Sequence, residues 1–139
     1  MGVQTFSFAV KTKGETDIIN ITTEVESIIR KSSMNSGIAT LFISGSTAGI
    51  TTIEYESGLV NDLKDAYERL APRRNHYEHN ARWGDGNGFA HIRASFTGQD
   101  MSVPFSRGKL LLGTWQQIII IDFDNRARNR DITVQLIGE

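Results

Sequence analysis

Residues 101–137 read MSVPFSRGKLLLGTWQQIIIIDFDNRARNRDITVQLI, and the fold turns on how this segment is divided. The pattern predicts three strands, Met101–Phe105, Gly113–Phe123 and Asp131–Ile137, with turns at Gly108 and at the pair Asp124-Asn125. Trp115 at the head of the middle strand reads as a core residue. Gln116 enters the same apolar segment and calls for a polar partner. Working outward, Val3–Val10 alternates as a half-buried strand, with Phe6, Phe8 and Val10 on one side. Ile18–Ile21, Ile38–Ser44 and Ile50–Tyr55 read as further strands, the last two paired across a turn at Gly45-Ser46. Thr23 and Glu26 form a capping-box pattern ahead of a helix running to about Ser33. Ser57 is the expected cap of a second helix, striped by Leu59, Leu63, Ala66, Tyr67 and Leu70 and ended before Pro72. A short helix over Ala90–Phe96 stops at Gly98. Strands outnumber helices and neighbours lie within hairpin reach, which predicts an α+β domain spanning residues 1–139.

The composition narrows the function classes. In 139 residues, 39% hydrophobic and 22% charged, one real core can be buried. A net charge of −1 gives no field that would draw nucleic acid or an anionic membrane. Cysteine is absent, which excludes a disulfide framework, a thiolate metal site and a cysteine nucleophile, and fits a cytoplasmic setting. The run Ile118–Ile121 is far below membrane-spanning length, and no basic start followed by an apolar run marks a signal peptide.

All three histidines fall in residues 75–95, NHYEHNARWGDGNGFAHIRAS. His79 and His91 flank the run Gly84–Gly88, which can fold back and bring two imidazoles together. Two histidines fall short of the three or four ligands that zinc takes, unless Asp85 or Glu54 completes the set. On spacing alone a wet surface loop is the simpler reading. The glycine run, with Gly86 and Asn87 at its centre, would also suit an anion, since successive N–H groups can point at one phosphate. It matches no Walker or dinucleotide pattern. Glu54 and Glu56 lie two apart on the predicted strand, so one face carries both. Arg126, Arg128 and Arg130 share a face if extended, either as phosphate forks or as a charged edge.

Taken together, SGSTAGITTIEYE, YEHN, GDGNGFAHIRAS, VPF with GKLLLGTWQQI, FDNRARNRD and VQLIGE resemble the YjbQ-like family, often labelled secondary thiamine-phosphate synthases. The six blocks run in order over most of the chain. The resemblance implies a mixed, largely antiparallel sheet curled into a half-barrel with flanking helices, assembled as a homotrimer. It implies catalytic roles for His79, His91 and Glu54, and substrate or phosphate contacts from Arg93, Gln116, Arg130, Gly86 and Asn87. A divalent metal, zinc or magnesium, would sit on His79 and His91. Many members carry histidine where this chain has Gly45 and Phe89, so two supplementary imidazoles are missing here. The implied activity couples a pyrimidine methyl pyrophosphate to a thiazole phosphate, releasing pyrophosphate, as a side reaction of an enzyme acting on some phosphorylated small molecule. The alternative is a non-catalytic trimeric module that binds a metabolite or metal.

Overall fold

Every side chain of Ile118, Ile119, Ile120 and Ile121 is fully buried, although consecutive strand residues point to opposite faces. The strand that carries them must therefore be covered on both sides, and the architecture supplies two covers. The computed structural model describes all 139 residues. In chain order the elements are β1 (Gly2–Thr12), β2 (Asp17–Asn20), α1 (Thr22–Lys31), β3 (Ser36–Ile43), β4 (Ala48–Ile53), α2 (Ser57–Leu70), α3 (Glu78–Trp83), α4 (Gly88–Thr97), β5 (Asp100–Ser106), β6 (Lys109–Leu110), β7 (Gln117–Asp122) and β8 (Arg128–Gly138). They make a five-stranded sheet, β1-β8-β3-β5-β6, and a three-stranded sheet, β2-β7-β4.

β7 is the middle strand of the smaller sheet. Ile118 and Ile120 face the larger sheet and meet Leu41, Val103, Ile132, Val134 and Leu136, together with Val25 and Ile29 of α1. Ile119 and Ile121 face the other way, into a second core with Tyr67 of α2 and Phe89, Ala90 and Ala94 of α4. The Tyr67 ring stands edge-on to Phe123, centroids 4.7 Å apart, and its hydroxyl lies 2.6 Å from Thr97 Oγ1. The expected α+β class, an antiparallel sheet curled into a half-barrel with helices beside it, is observed. The parallel component is not, because every strand pairing is antiparallel.

Several local expectations are corrected. β3 and β4 do not pair with each other, nor do β7 and β8; each pair of neighbours in sequence splits between the two sheets. The short links at Gly45-Ser46 and Asp124-Asn125 are corners from one layer to the next, not hairpins. The turn at Gly108 does close a hairpin, but from β5 onto the unanticipated two-residue strand β6, not onto β7. The Thr23–Glu26 capping box is not made: Asn20 Oδ1 instead accepts from Thr22 N–H at 3.0 Å and from the Thr22 hydroxyl. Thr22 Oγ1 in turn accepts the Ile118 N–H, which ties the start of α1 to β7. Glu56, not Ser57, caps α2, its carboxylate accepting from the Gly58 and Leu59 amides. Strand β4 ends at Ile53, so Glu54 and Glu56 are not strand residues at all. Trp115 is not core: it is 70% exposed, on the loop ahead of β7 rather than inside the strand. Its neighbour Gln116 does find partners, accepting from Gly113 N–H at 2.7 Å and donating to Thr52 Oγ1 at 3.4 Å. No helix is long and apolar enough to cross a membrane.

These placements set an expectation for stability. Ile120→Ala should cost about 2–5 kcal/mol in urea unfolding, the range for truncating a buried branched residue. Trp115→Ala should cost less than about 0.5 kcal/mol, as exposed substitutions do.

Candidate functional site

Two short helices carry the histidines. α3 places His79 in its first turn and ends at Gly84, whose left-handed backbone (φ 72°) turns the chain at once. Asp85, Gly86 and Asn87 complete the return, and α4 begins at Gly88 with His91 one turn in. Gly88 is required by space: a Cβ there would lie 2.6 Å from Tyr77 Cβ. The close approach is held by Gly88 N–H donating to Asn80 Oδ1 at 2.9 Å. Across the junction the His79 and His91 rings stand 4.4 Å apart, centroid to centroid, tilted by 53°.

His79 is oriented from below. Its Nε2 lies 3.1 Å from Asn87 Oδ1 and 3.3 Å from Asp85 Oδ1. Asn87 is buried, and its Nδ2 donates to Asp124 Oδ1 at 3.3 Å. A carboxylate only accepts, so this bond fixes which end of the amide faces the imidazole. His79 Nε2 must then be the donor, which leaves Nδ1 as the open nitrogen. Asp124 is fully buried. Burial alone would raise its pKa, but the Asn125 amide, Arg128 and Asn87 outweigh this and hold the carboxyl below its ordinary value. Asn125 Nδ2 also donates to Asp85 O at 2.8 Å, tying the loop to the β7–β8 corner. His91 differs in kind. Loss of solvent, then the neighbouring His79, push its pKa below the ordinary value, outweighing Asp85 and Asp124. One imidazole thus faces acceptors, while its neighbour is biased toward the neutral form.

The other anticipated site residues are dispersed. Arg93 is buried, its guanidinium donating to Ala71 O, Thr16 Oγ1 and Glu68 Oε2 while lying over the Phe89 ring. Arg130 is buried as well and grips both oxygens of Asp122 at 2.8 and 2.9 Å, with a further bond to Thr47 Oγ1. The regular spacing of Arg128 and Arg130 therefore serves two interior carboxylates, Asp124 and Asp122. Glu54 lines a separate cleft of about 350 Å³ with Asn20, Gln117 and the exposed Trp115. Gly86 and Asn87 are in the return between the two histidines, and His76 is exposed outside the pair. Asp122, Asp124 and Asn80 were not anticipated. A carboxylate directly after four isoleucines must be paired if the strand is buried, and that was the available signal.

The whole arrangement has a recognised kin group. A family model for the UPF0047 protein YjbQ-like family matches residues 6–139. The chain belongs to the YjbQ-like family. A UPF0047 protein of Methanothermobacter thermautotrophicus is 34% identical over 139 residues, covering 100% of this chain and 95% of that protein. The Bacillus subtilis relative YugU is 32% identical over 131 residues, 93% of this chain and 96% of that one. Among solved structures, a YbjQ-like protein of unknown function from Sulfolobus solfataricus superposes with a TM-score of 0.90 at 31% identity, covering 99% of this chain and 100% of its own. A hypothetical protein from Aeropyrum pernix gives 0.91 at 28% identity, over 98% and 99%.

Within this YjbQ-like chain the two positions expected to lack histidine are filled rather than open. A Cβ on Gly45 would stand 2.6 Å from Arg130 Nη1, so the guanidinium takes that space. Phe89 is 1% exposed and belongs to the second core. Within a single chain no group of three His, Asp or Glu side chains is arranged to hold an ion. His79 and His91 alone fall short of the three side chains that catalytic zinc takes.

The electrostatics predict a titration. His91 should titrate below the ordinary histidine value of about 6.5, followed through its ring protons by NMR. Since the folded pKa is depressed, the unfolded chain takes up the proton first; stability is intact above the unfolded value of about 6.5 and is lost as pH falls from there through the lower folded value. His79→Ala should move the His91 midpoint upward, because it removes a like charge. An unchanged midpoint would mean that desolvation acts alone.

Proposed function

We propose that the chain is an enzyme acting on a phosphorylated small molecule, with His79 and His91 as its acid/base pair. The observation that carries this reading is the unequal pair itself. Two imidazoles 4.4 Å apart have different surroundings, one hydrogen-bonded through Asn87 to a buried carboxylate, the other pushed toward neutrality. Environments that separate two titratable groups assign acid and base roles. His91 is the base in this scheme; His79 acts as the acid only in its doubly protonated form, giving a proton from Nδ1 while Nε2–H stays on Asn87. The substrate phosphate is held by the return between them: the N–H groups of Asp85, Gly86 and Asn87 have no protein acceptor. Successive free amides of this kind suit an anion. Arg93 and Arg130 are not phosphate contacts in this scheme, since their buried guanidinium groups are committed to Glu68 and Asp122.

Thiamine-phosphate-synthase-like coupling is the side activity to test. The bond formed joins the pyrimidine methylene to the thiazole nitrogen, and the bond broken releases pyrophosphate, which the loop amides would receive. His91→Ala and His79→Ala should each lower pyrophosphate release by about 10²–10⁴-fold, the usual weight of positioned acid/base groups. Rates equal to wild type in both variants would remove the histidines from the chemistry. Tight ligand or zinc binding without turnover of any phosphorylated substrate would favour the non-catalytic module.

A homotrimer gives Glu54 a role, because its cleft is apart from the histidines in a single chain. The outer face of the larger sheet has apolar surface to cover: Val3, Ile137 and Ile38 are in register across three adjacent strands and are 62%, 47% and 50% exposed. Light scattering should give about three times the 15.5 kDa chain mass; a clean monomer at micromolar concentration would rule the assembly out. If Glu54 serves an adjacent subunit, inactive Glu54→Gln and His91→Ala subunits should regain activity when refolded together.

A further inference from the structure

A wide cleft on the far side of α1 has no part in the histidine site. It lies between the C-terminal half of α1, the following loop and the β5–β6 hairpin, with a volume of about 680 Å³. Its charged lining is Arg30, Arg107 and Lys109 against the single carboxylate of Glu26. None of the three cations makes an ion pair, and none donates a side-chain hydrogen bond to the protein. All three are exposed, whereas Arg93 and Arg130, buried elsewhere in the fold, have their guanidinium groups committed to carboxylates. The same cleft is floored by Ile29, Met34 and Leu110. Cations around an apolar floor describe a ligand with an anionic head and an apolar body.

The backbone supports this. The hairpin tip is Arg107-Gly108, with φ of 53° and 68°. Two positive values in a two-residue hairpin loop define the turn that Asn-Gly fills best, because a long side chain is disfavoured at the first position. An arginine held in that sparsely populated region is an outlier of the kind that collects at binding sites. The tip is also pinned: Gly108 N–H donates to Asn35 O at 3.0 Å. The Asn35 and Ser36 amides are held in turn by Glu139 O. At the end of α1, the carbonyls of Ile28 and Ile29 are already capped by Ser32, so the helix presents its cation instead of free acceptors. Arg107 is thus presented by a fixed loop toward two other unpaired cations.

We propose that this cleft is a second binding site, for a small molecule carrying a phosphate group on an apolar body. Arg107 is its main anion contact, Arg30 and Lys109 complete the charge, and Met34 and Leu110 meet the apolar part. Nothing in the proposal depends on the histidine pair.

Phenyl phosphate and inorganic phosphate serve as probes, followed by amide shifts in NMR titrations of the full chain. Phenyl phosphate should saturate and shift Ser33–Asn35 and Arg107–Leu110, and inorganic phosphate should bind more weakly. Arg107→Asn is the informative variant, because the turn prefers asparagine: the melting temperature should hold or rise while binding weakens by about tenfold, the loss expected for one charge-assisted hydrogen bond. Arg30→Gln with Lys109→Gln should weaken it further. His91→Ala should leave it unchanged, which separates this site from the proposed active site. Wild-type affinity in Arg107→Asn, shifts confined to residues around His79 and His91, or no saturable shift would overturn the proposal. Equal affinity for the two probes would overturn the apolar half of the ligand assignment.

Discussion

Burial of β7 on both faces is the constraint from which the rest follows. A strand covered on one side can alternate apolar and polar residues, but a strand between two layers cannot. Ile118–Ile121 meet that demand, and the chain then has to leave the middle layer. It does so through Asp122, Phe123 and Asp124, of which all three are fully buried. Two carboxylates in such a place are tolerated only with partners. β8, returning in the outer sheet, carries Arg128 and Arg130 on the same inward face as Ile132, Val134 and Leu136, and so delivers one guanidinium to each.

That solution reaches the candidate site directly. Asp124 still has accepting capacity on the side away from Arg128, and Asn87 uses it. Through Asn87 the orientation of His79 is fixed by the same strand end that closes the core. The histidine pair is therefore anchored on the rigid middle layer, although its residues stand on two short helices and a glycine loop. Helices of 6 and 10 residues would not hold such a geometry on their own.

The sequence revealed the elements more readily than their partners. Strong periodicity makes β1, β3, β4, β8 and α2 legible, and the GDGNG run between His79 and His91 marks the return that brings their rings together. Pairing was misjudged because a two- to five-residue link after a strand looks the same whether it turns back or crosses to another layer. Trp115 was misread for a related reason: an aromatic next to an apolar run reads as interior, and only the three-dimensional end of β7 shows it outside. α3 was invisible because six residues carry no periodicity worth the name. Arg93 and Arg130 illustrate the limit most clearly. A resemblance marks such positions as important, and their chemistry suits phosphate, yet here both hold the interior together. Local pattern does not distinguish an arginine facing a ligand from one facing a buried aspartate.

The strand order of the larger sheet has a consequence for how the chain is made. β8 sits between β1 and β3, pairing Gly2 with Gly138 at one edge and Gly37 with Gly138 at the other. The first strand has no neighbour but the last. During synthesis β1 and β3 emerge early and wait, edges open, until residues 128–138 arrive to bridge them. Folding is then a late, chain-wide event rather than a sequential one, with the slow closure that distant pairings impose. A nascent chain stalled before residue 128 would display two unpaired strand edges and an isoleucine run without its outer cover, a form suited to capture by chaperones or to aggregation.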